Sequence, residues 1–358
     1  MKMMDGTDTA ATTFADGIYF SLDEALYHVD PALGSSDLKR LAAEPADYWF
    51  GSVLNPNRPA EDSTPSQIIG KAVHKLVLEG EQSFSAAFER EATGDDVLRT
   101  DADLADYLFR ECGAVKIPRS KSGKIEMLQE LCAPPLTMPP VLDLIQAEAA
   151  RAGRQILKAD DFDRIRGAAE SILANPHLAA SFTGGMSEVS LFWTDEVDGE
   201  PVRRKARFDY LKPRAVIDLK STRPSRPTSF KANCLRAMAE YGYPVQAAAY
   251  LQARAQLARL AGEGRVFGDH DPAWLARVAA APAFAFVFVF WSTGDAPLTW
   301  GVALSPGNQV LGIAEKTIDL ALWNYVAARR SHGLDAPWVE HAPLEEIELS
   351  DLPVWLSR

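Results

Sequence analysis

The chain of 358 residues has only three cysteines, Cys112, Cys132 and Cys234. An odd, widely spaced set excludes a four-thiolate cluster and a C-x-x-C zinc site, and argues against a disulfide framework. Buried, inert thiols are expected. No apolar run reaches the roughly 18 residues that a membrane span needs. The longest, "APAFAFVFVFW" (281–291), has the length of a buried strand. The opening residues, "MKMMDGTDTAATTFADG", are polar and acidic and lack the apolar stretch of a signal peptide. A cytoplasmic protein with no membrane association is expected. Positive charge is in deficit too. The net charge of −12 argues against a generic nucleic-acid coat. P-loop, G-x-G-x-x-G and G-x-S-x-G motifs are all missing, as are internal repeats and low-complexity tracts.

What is present suits a globular protein. Hydrophobic residues make up 47% and charged residues 24%, ample for a core. At roughly 100–200 residues per domain, the length allows one large domain or two modest ones. Residues 1–16 read as disordered. Ser35 or Ser36 can cap a short helix ending before Pro45, and Ser66 can cap a helix through "QIIGKAVHKLVLEG" that stops at Gly80. Residues 91–155 carry only a short helical pattern broken by prolines. A helical spacing returns from Asp160 to Asn175-Pro176. The period then changes to two: "SEVSLFWTDEVDGEPVRRKARFDYLKPRAVIDLKS" predicts three or four strands in hairpins, with turns at Asp198-Gly199 and Lys212-Pro213. Helices over about 228–239 and from Pro244 past Ala258, strands at 283–291 and 298–305, and a helix over about 306–331 complete the pattern. The tail, 341–358, reads as irregular. Helices around strands in this order predict an α/β or α+β domain with a central mixed sheet.

Charge is unevenly placed. Residues 201–236 carry eleven lysines and arginines against two acids, Asp209 and Asp218. Such an island is either a solvated basic face or an anion site within an acidic protein. Alternation puts Val216, Asp218 and Lys220 on one face of a strand and Ala215, Ile217 and Leu219 on the other. A turn near Lys212–Arg214 sets Asp209 opposite or diagonal to Asp218, where Cβ atoms are about 4.5–5.5 Å apart. Two carboxylates that close repel, and a divalent cation resolves the conflict. Pairing with the nearby arginines would resolve it as well. Glu188 on the preceding strand is a third acid, or a surface glutamate. His74 follows Gly70 by one helical turn, and Gln246 and Tyr250 share a helix face.

Taken in order, G-x-x-x-H, E, D, D-x-K and Q-x-x-x-Y resemble the PD-(D/E)xK nucleases of the RecB-like branch. The segments "YHVDPALGSSDLKRLAAEPADYW", "IGKAVHKLVLEG", "GGMSEVSLFW", "RFDYLKPRAVIDLKST" and "YGYPVQAAAYL" resemble in particular the phage-type exodeoxyribonuclease VIII catalytic domain. The resemblance implies one domain over residues 17–340, with an N-terminal helical part (17–155) and a restriction-endonuclease-like α/β core whose central mixed β-sheet is flanked by helices. It implies a metal-dependent exonuclease digesting linear double-stranded DNA 5′→3′ in phage-type recombination, in the cytoplasm of a bacterial host. It further implies two Mg²⁺ or Mn²⁺ ions, DNA ends as substrate, a single-strand annealing protein as partner and a homo-oligomeric ring. By position, Asp209, Asp218, the Leu219 carbonyl, Glu188 and His74 would hold metal, Lys220 would be the catalytic lysine, and Gln246 and Tyr250 would steady the site. Arg223, Arg226, Arg207 and Lys231 are candidate DNA-backbone contacts. The chain departs from the family pattern in having Asp218 rather than Glu before L-K, Phe208 rather than Pro before Asp209, and Pro244 within its last motif. An endonuclease or repair nuclease on the same fold, or a non-catalytic DNA-binding module, would share most of these features.

Overall fold

The computed structural model describes residues 13–59, 64–94, 96–132, 138–223 and 228–351. Strand β1 (Gly17–Tyr19) leads into helices α1 (Glu24–Val29), α2 (Ser35–Ala43) and α3 (Pro45–Gly51). Helix α4 (Pro65–His74) continues as a π-helical stretch, Lys75–Glu79, before α5 (Glu81–Ala87) and strand β2 (Phe88–Arg90). Helices α6 (Asp101–Arg110), α7 (Lys121–Leu131) and α8 (Leu142–Arg151) precede β3 (Gln155–Leu157) and α9 (Ala159–Ala174). The meander β4 (Met186–Val197), β5 (Glu200–Lys212) and β6 (Ala215–Thr222) follows. Then come α10 (Phe230–Glu240), α11 (Tyr243–Gly262), β7 (Val266–Phe267), α12 (Pro272–Ala279), β8 (Ala285–Ser292), β9 (Thr299–Leu304) and α13 (Gln309–His332).

Seven strands form one mixed sheet in the order β7-β1-β4-β5-β6-β8-β9. The meander is antiparallel, whereas β6 and β8 are parallel and joined by the crossover through α10, α11 and α12. Both faces are covered. Phe286, Phe288 and Phe290 of β8 pack among α2, α11 and α13, and Val289 and Trp291 pack among α4 and α9. Double burial is why this strand is an unbroken apolar run, since neither set of alternate residues meets water. Helices α6, α7 and α8 enclose a separate small core around Leu104, Leu108, Ile125 and Leu128.

The structure shifts several expected boundaries. Thr64, not Ser66, caps α4: its hydroxyl accepts from the Gln67 amide while the Gln67 side chain accepts from the Thr64 amide. Pro65 at the first helical position sets the cap at Thr64, two residues before Ser66. Gly34 rather than a serine caps α2, its amide held by the Asp37 carboxylate at 2.9 Å. Residues 13–16, expected to be disordered, are tied down: the Phe14 amide bonds Asp30, and Asp16 bonds Thr194. The rest of that expectation, residues 1–12, lies outside the described residues, as do 352–358 of the tail. The described part of the tail has one short 3₁₀ turn, Leu349–Asp351.

Candidate active site

The site forms where two strands lose their regular alternation together. Val189, Leu191 and Trp193 of β4 and Ala206 and Phe208 of β5 face the core under α11. Met186 and Leu211 reach that core as well, so the pattern slips by one residue in each strand. The pairs Ser187↔Tyr210 and Val189↔Phe208 bracket the slip and leave Glu188 opposite Asp209. Glu188 has φ +57°. A left-handed backbone is uncommon at a non-glycine residue and costs roughly 1–3 kcal/mol, and such strain clusters at functional sites.

The β5–β6 ladder ends at Tyr210↔Ile217. One further step sets Asp209 opposite Asp218, as the sequence predicts. Because the strands part here, the Leu219 backbone N–H and C=O have no ladder partner on this side, and side chains take its place. The Leu219 amide donates to Asp209 Oδ2 at 2.9 Å, and its carbonyl accepts from His74 Nε2 at 2.8 Å. His74 Nδ1 lies 3.6 Å from Asp209 Oδ2. The backbone of one residue thus fixes a side chain from α4 and one from β5.

Asp218 is wholly buried. Gln246 on α11 donates to its Oδ1 at 2.6 Å, and the Lys220 ammonium lies 2.7 Å from its Oδ2. That ammonium also sits over the Tyr243 ring, 5.2 Å from the centroid. Burial opposes the charge on Lys220, but Asp218 and Asp209 outweigh it and hold the amine above its ordinary value. Asp209 moves the other way for a charged acid: burial, then the charge of Asp218, pushes its carboxyl above the usual range. Glu188 is raised by burial against the opposing pull of Arg207. Tyr250 packs edge-on against Phe208 and Phe286, and burial keeps its phenol neutral.

A cleft of about 830 Å³ opens in front of these groups, lined by Asp209, Glu188, His74, Gly70 and Tyr250, among others. Asp218, Lys220 and Gln246 lie behind the lining. The cations on its wall are paired: Lys71 with Glu24, Lys75 with Glu79 and Arg207 with Glu188.

The basic island resolves mostly into internal pairing. Arg203 bonds Asp30, Arg204 bonds Asp195, Lys205 donates to the Tyr27 and Asp30 carbonyls, and Lys212 donates to Ala180. These cations of β5 fasten the N-terminal segment, β4 and the turn that precedes it, so along β5 the island is neither a solvated basic face nor an anion site. Arg207, expected at the DNA backbone, is held by Glu188, the Leu22 carbonyl and Ser190. Arg223 and Lys231 are exposed, and Arg226 lies outside the described residues. The sequence reading missed Tyr243 beneath Lys220, although its position at the start of α11, one turn before Gln246, was available. It also missed Lys39, which donates to the Tyr241 carbonyl at 3.0 Å beside that helix start.

Among the described residues no three His, Cys, Asp or Glu side chains converge as a metal cage. The narrower donor set nevertheless fits a hard cation. Asp218 Oδ2 is buried with the Lys220 ammonium 2.7 Å away, and among the described residues no second donor reaches it. Beside it stand Asp209 and the Leu219 carbonyl. Two carboxylates and a carbonyl, completed by water and phosphate, are what Mg²⁺ commonly takes.

A mixed sheet flanked by helices, with carboxylates at the point where an antiparallel pair parts, is the restriction-endonuclease-like arrangement. Residues 35–263 match the family described as "PDDEXK-like domain of unknown function", and with more than half of its length matched the chain belongs to that family. No curated protein matches. Among solved structures, a candidate exonuclease from Eubacterium rectale is similar at 13% identity and TM-score 0.46, over 94% of this chain and 99% of that one. A structure of SSO0001 is similar at 14% identity and TM-score 0.22, over 71% of this chain and 86% of that one. These likenesses are remote, and membership rests on the family match. Among the described residues no helix is long and apolar enough to cross a membrane.

Proposed function

We propose that the protein is a metal-dependent exodeoxyribonuclease, acting like the exodeoxyribonuclease VIII group on linear double-stranded DNA. The observation that carries this reading is the buried Asp218, held by Gln246 and Lys220 beside Asp209. A binding module gains nothing from a desolvated carboxylate pair aimed at phosphate, because the pair repels both itself and the ligand. Asp209, Asp218 and the Leu219 carbonyl would hold Mg²⁺ or Mn²⁺, in a site for two such ions. When bound, a divalent cation supplies Lewis-acid stabilisation of the phosphoryl oxygens.

The chain's own residues do the rest. Lys220 places a cation, anchored by Asp218 and the Tyr243 ring, where charge develops on the phosphoryl group. Gln246 fixes the Asp218 rotamer, and His74 and Asp209 fix the backbone on either side of Leu219. Glu188 and Tyr250 form the wall of the cleft. Arg223, Arg226 and Lys231 would contact the DNA backbone. Gly70 supports a ligand in the cleft: a Cβ there would meet nothing within 4 Å, so the protein's own packing does not call for glycine. The 5′→3′ direction, the role in recombination, the annealing partner and a ring assembly belong to the same proposal.

Linear duplex labelled at its 5′ or 3′ end, incubated with Mg²⁺ alongside a closed circle and an EDTA control, tests the reading. Release of 5′ label from the linear form alone, abolished by EDTA, is the expected result. Cutting of the circle would make the protein an endonuclease, and no Mg²⁺-dependent cleavage at all would overturn the reading.

A further inference from the structure

Glu188 faces the cleft directly opposite Asp209, yet its carboxylate does not join the Asp209–Asp218 pair. Arg207 holds it: Arg207 Nε donates to Glu188 Oε2 at 2.5 Å. The guanidinium has two other anchors, the Leu22 carbonyl at 2.7 Å and Ser190 Oγ at 3.1 Å, both reached by its Nη1. Only 15% of the Arg207 side chain is exposed, so water screens the pair weakly. The two ends of this pair differ in freedom. Arg207 would keep two partners if Glu188 left, whereas Glu188 makes no other salt bridge among the described residues and stands on a strained left-handed backbone.

We propose that Arg207 is a latch that competes with a divalent cation for Glu188, so that the third carboxylate joins the cation site only when the ion pair opens. This deepens the proposed function and rests on its cation site. It accounts for the donor set stopping at two carboxylates, and it gives Arg207 a positioning role in place of a DNA contact.

The test is cation binding without DNA, by titration calorimetry with Mn²⁺ on the full chain. Wild type, Arg207→Gln, Glu188→Gln and the double variant are compared, with Arg207→Lys added in both Glu188 backgrounds. Glutamine keeps the aliphatic stem of Arg207 and drops the charge, which limits the loss of packing. The latch predicts that Arg207→Gln binds Mn²⁺ about three- to tenfold more tightly than wild type, the scale of one partly buried ion pair. In the Glu188→Gln background the same change should have no effect. Arg207→Lys, which keeps the charge and loses the fork, should fall between wild type and Arg207→Gln. An equal gain in both backgrounds would mean general electrostatics and would overturn the latch, as would no gain in either. If Arg207→Gln unfolds, the Arg207→Lys comparison across the two Glu188 backgrounds decides by the same criterion. Absence of Mn²⁺ binding in the wild type would instead overturn the cation site itself, and the latch with it.

Discussion

Gln246 and Asp218, 28 residues apart in the chain, meet at 2.6 Å across the interface of α11 and β6. Among the described residues this amide and the Lys220 ammonium are the two close side-chain partners of a wholly buried carboxylate. The bond therefore does two things: it solvates a buried charge, and it sets the helix that also carries Tyr243 and Tyr250 against the strand that carries Lys220.

Replacing that donor should be costly for chemistry. Gln246→Leu keeps the volume and removes the amide, leaving Asp218 with the Lys220 ion pair alone. A lost bond to a buried charged group costs about 1–3 kcal/mol, so the single-turnover cleavage rate should fall roughly 10- to 100-fold. Gln246→Glu adds a third negative charge and should do worse. Rates unchanged in both variants would remove Gln246 from the site.

Lys220 is predicted to link stability to cations. Lys220→Met strips the buried Asp218 of the one ion-pair partner it has among the described residues and leaves it beside Asp209. Breaking a buried pair from one side typically costs about 3–5 kcal/mol, so the metal-free variant should unfold at clearly lower urea than wild type. Mn²⁺ should restore more stability to the variant than to wild type, while cleavage stays severely reduced. Asp218→Asn should also abolish cleavage but leave the fold intact, because it removes the repulsion along with the pair. Cleavage at the normal rate by Asp218→Asn would defeat the site assignment.

The parts of this site that were legible in the sequence are those set by local periodicity. Alternation along "AVIDLKS" correctly separates Asp218 and Lys220 from Ile217 and Leu219, which pack on the opposite side under α4 and α9. The i, i+4 spacing correctly puts Gln246 and Tyr250 on one face of α11. What was not legible depends on distant partners. The acids that occupy the β5 cations include Asp30, 173 residues from Arg203, and no count of charge along the chain reveals such pairs. Strands β1 and β7, with three and two residues, are too short to show a period of two. The slip at Glu188 and Asp209 is invisible because both strands make it together and the ladder register carries on unchanged.

Asp209 gives the metal-free protein a characteristic pH response. Its folded pKa is raised, first by burial and then by Asp218, so folding disfavours the ionised form. Its contribution to stability is therefore fully present below the unfolded value of about 3.9 and is lost as pH rises through the raised folded value. Asp209→Asn cannot ionise and escapes that loss. In urea titrations with EDTA, the variant's stability relative to wild type should increase as pH goes from 4 to 8. Lys220, also raised, loses its contribution only at alkaline pH and leaves this window unaffected. A difference independent of pH would contradict the burial and charge effects assigned to Asp209.

Gly70 should separate folding from function. It lies within α4, and a Cβ at that position would meet no atom within 4 Å. Glycine inside a helix costs about 0.5–1 kcal/mol relative to alanine, so Gly70→Ala should raise the unfolding midpoint slightly and leave cleavage nearly unchanged. Gly70→Leu should be as stable as Gly70→Ala, since the added atoms enter the cleft rather than the core. Those atoms would occupy the space in front of Asp209 and His74 that the proposed function gives to DNA. The expected result is a stable protein with DNA affinity and cleavage both reduced about tenfold or more, and with Mn²⁺ affinity in the absence of DNA unchanged. Full activity in Gly70→Leu would show that the substrate does not enter by this cleft.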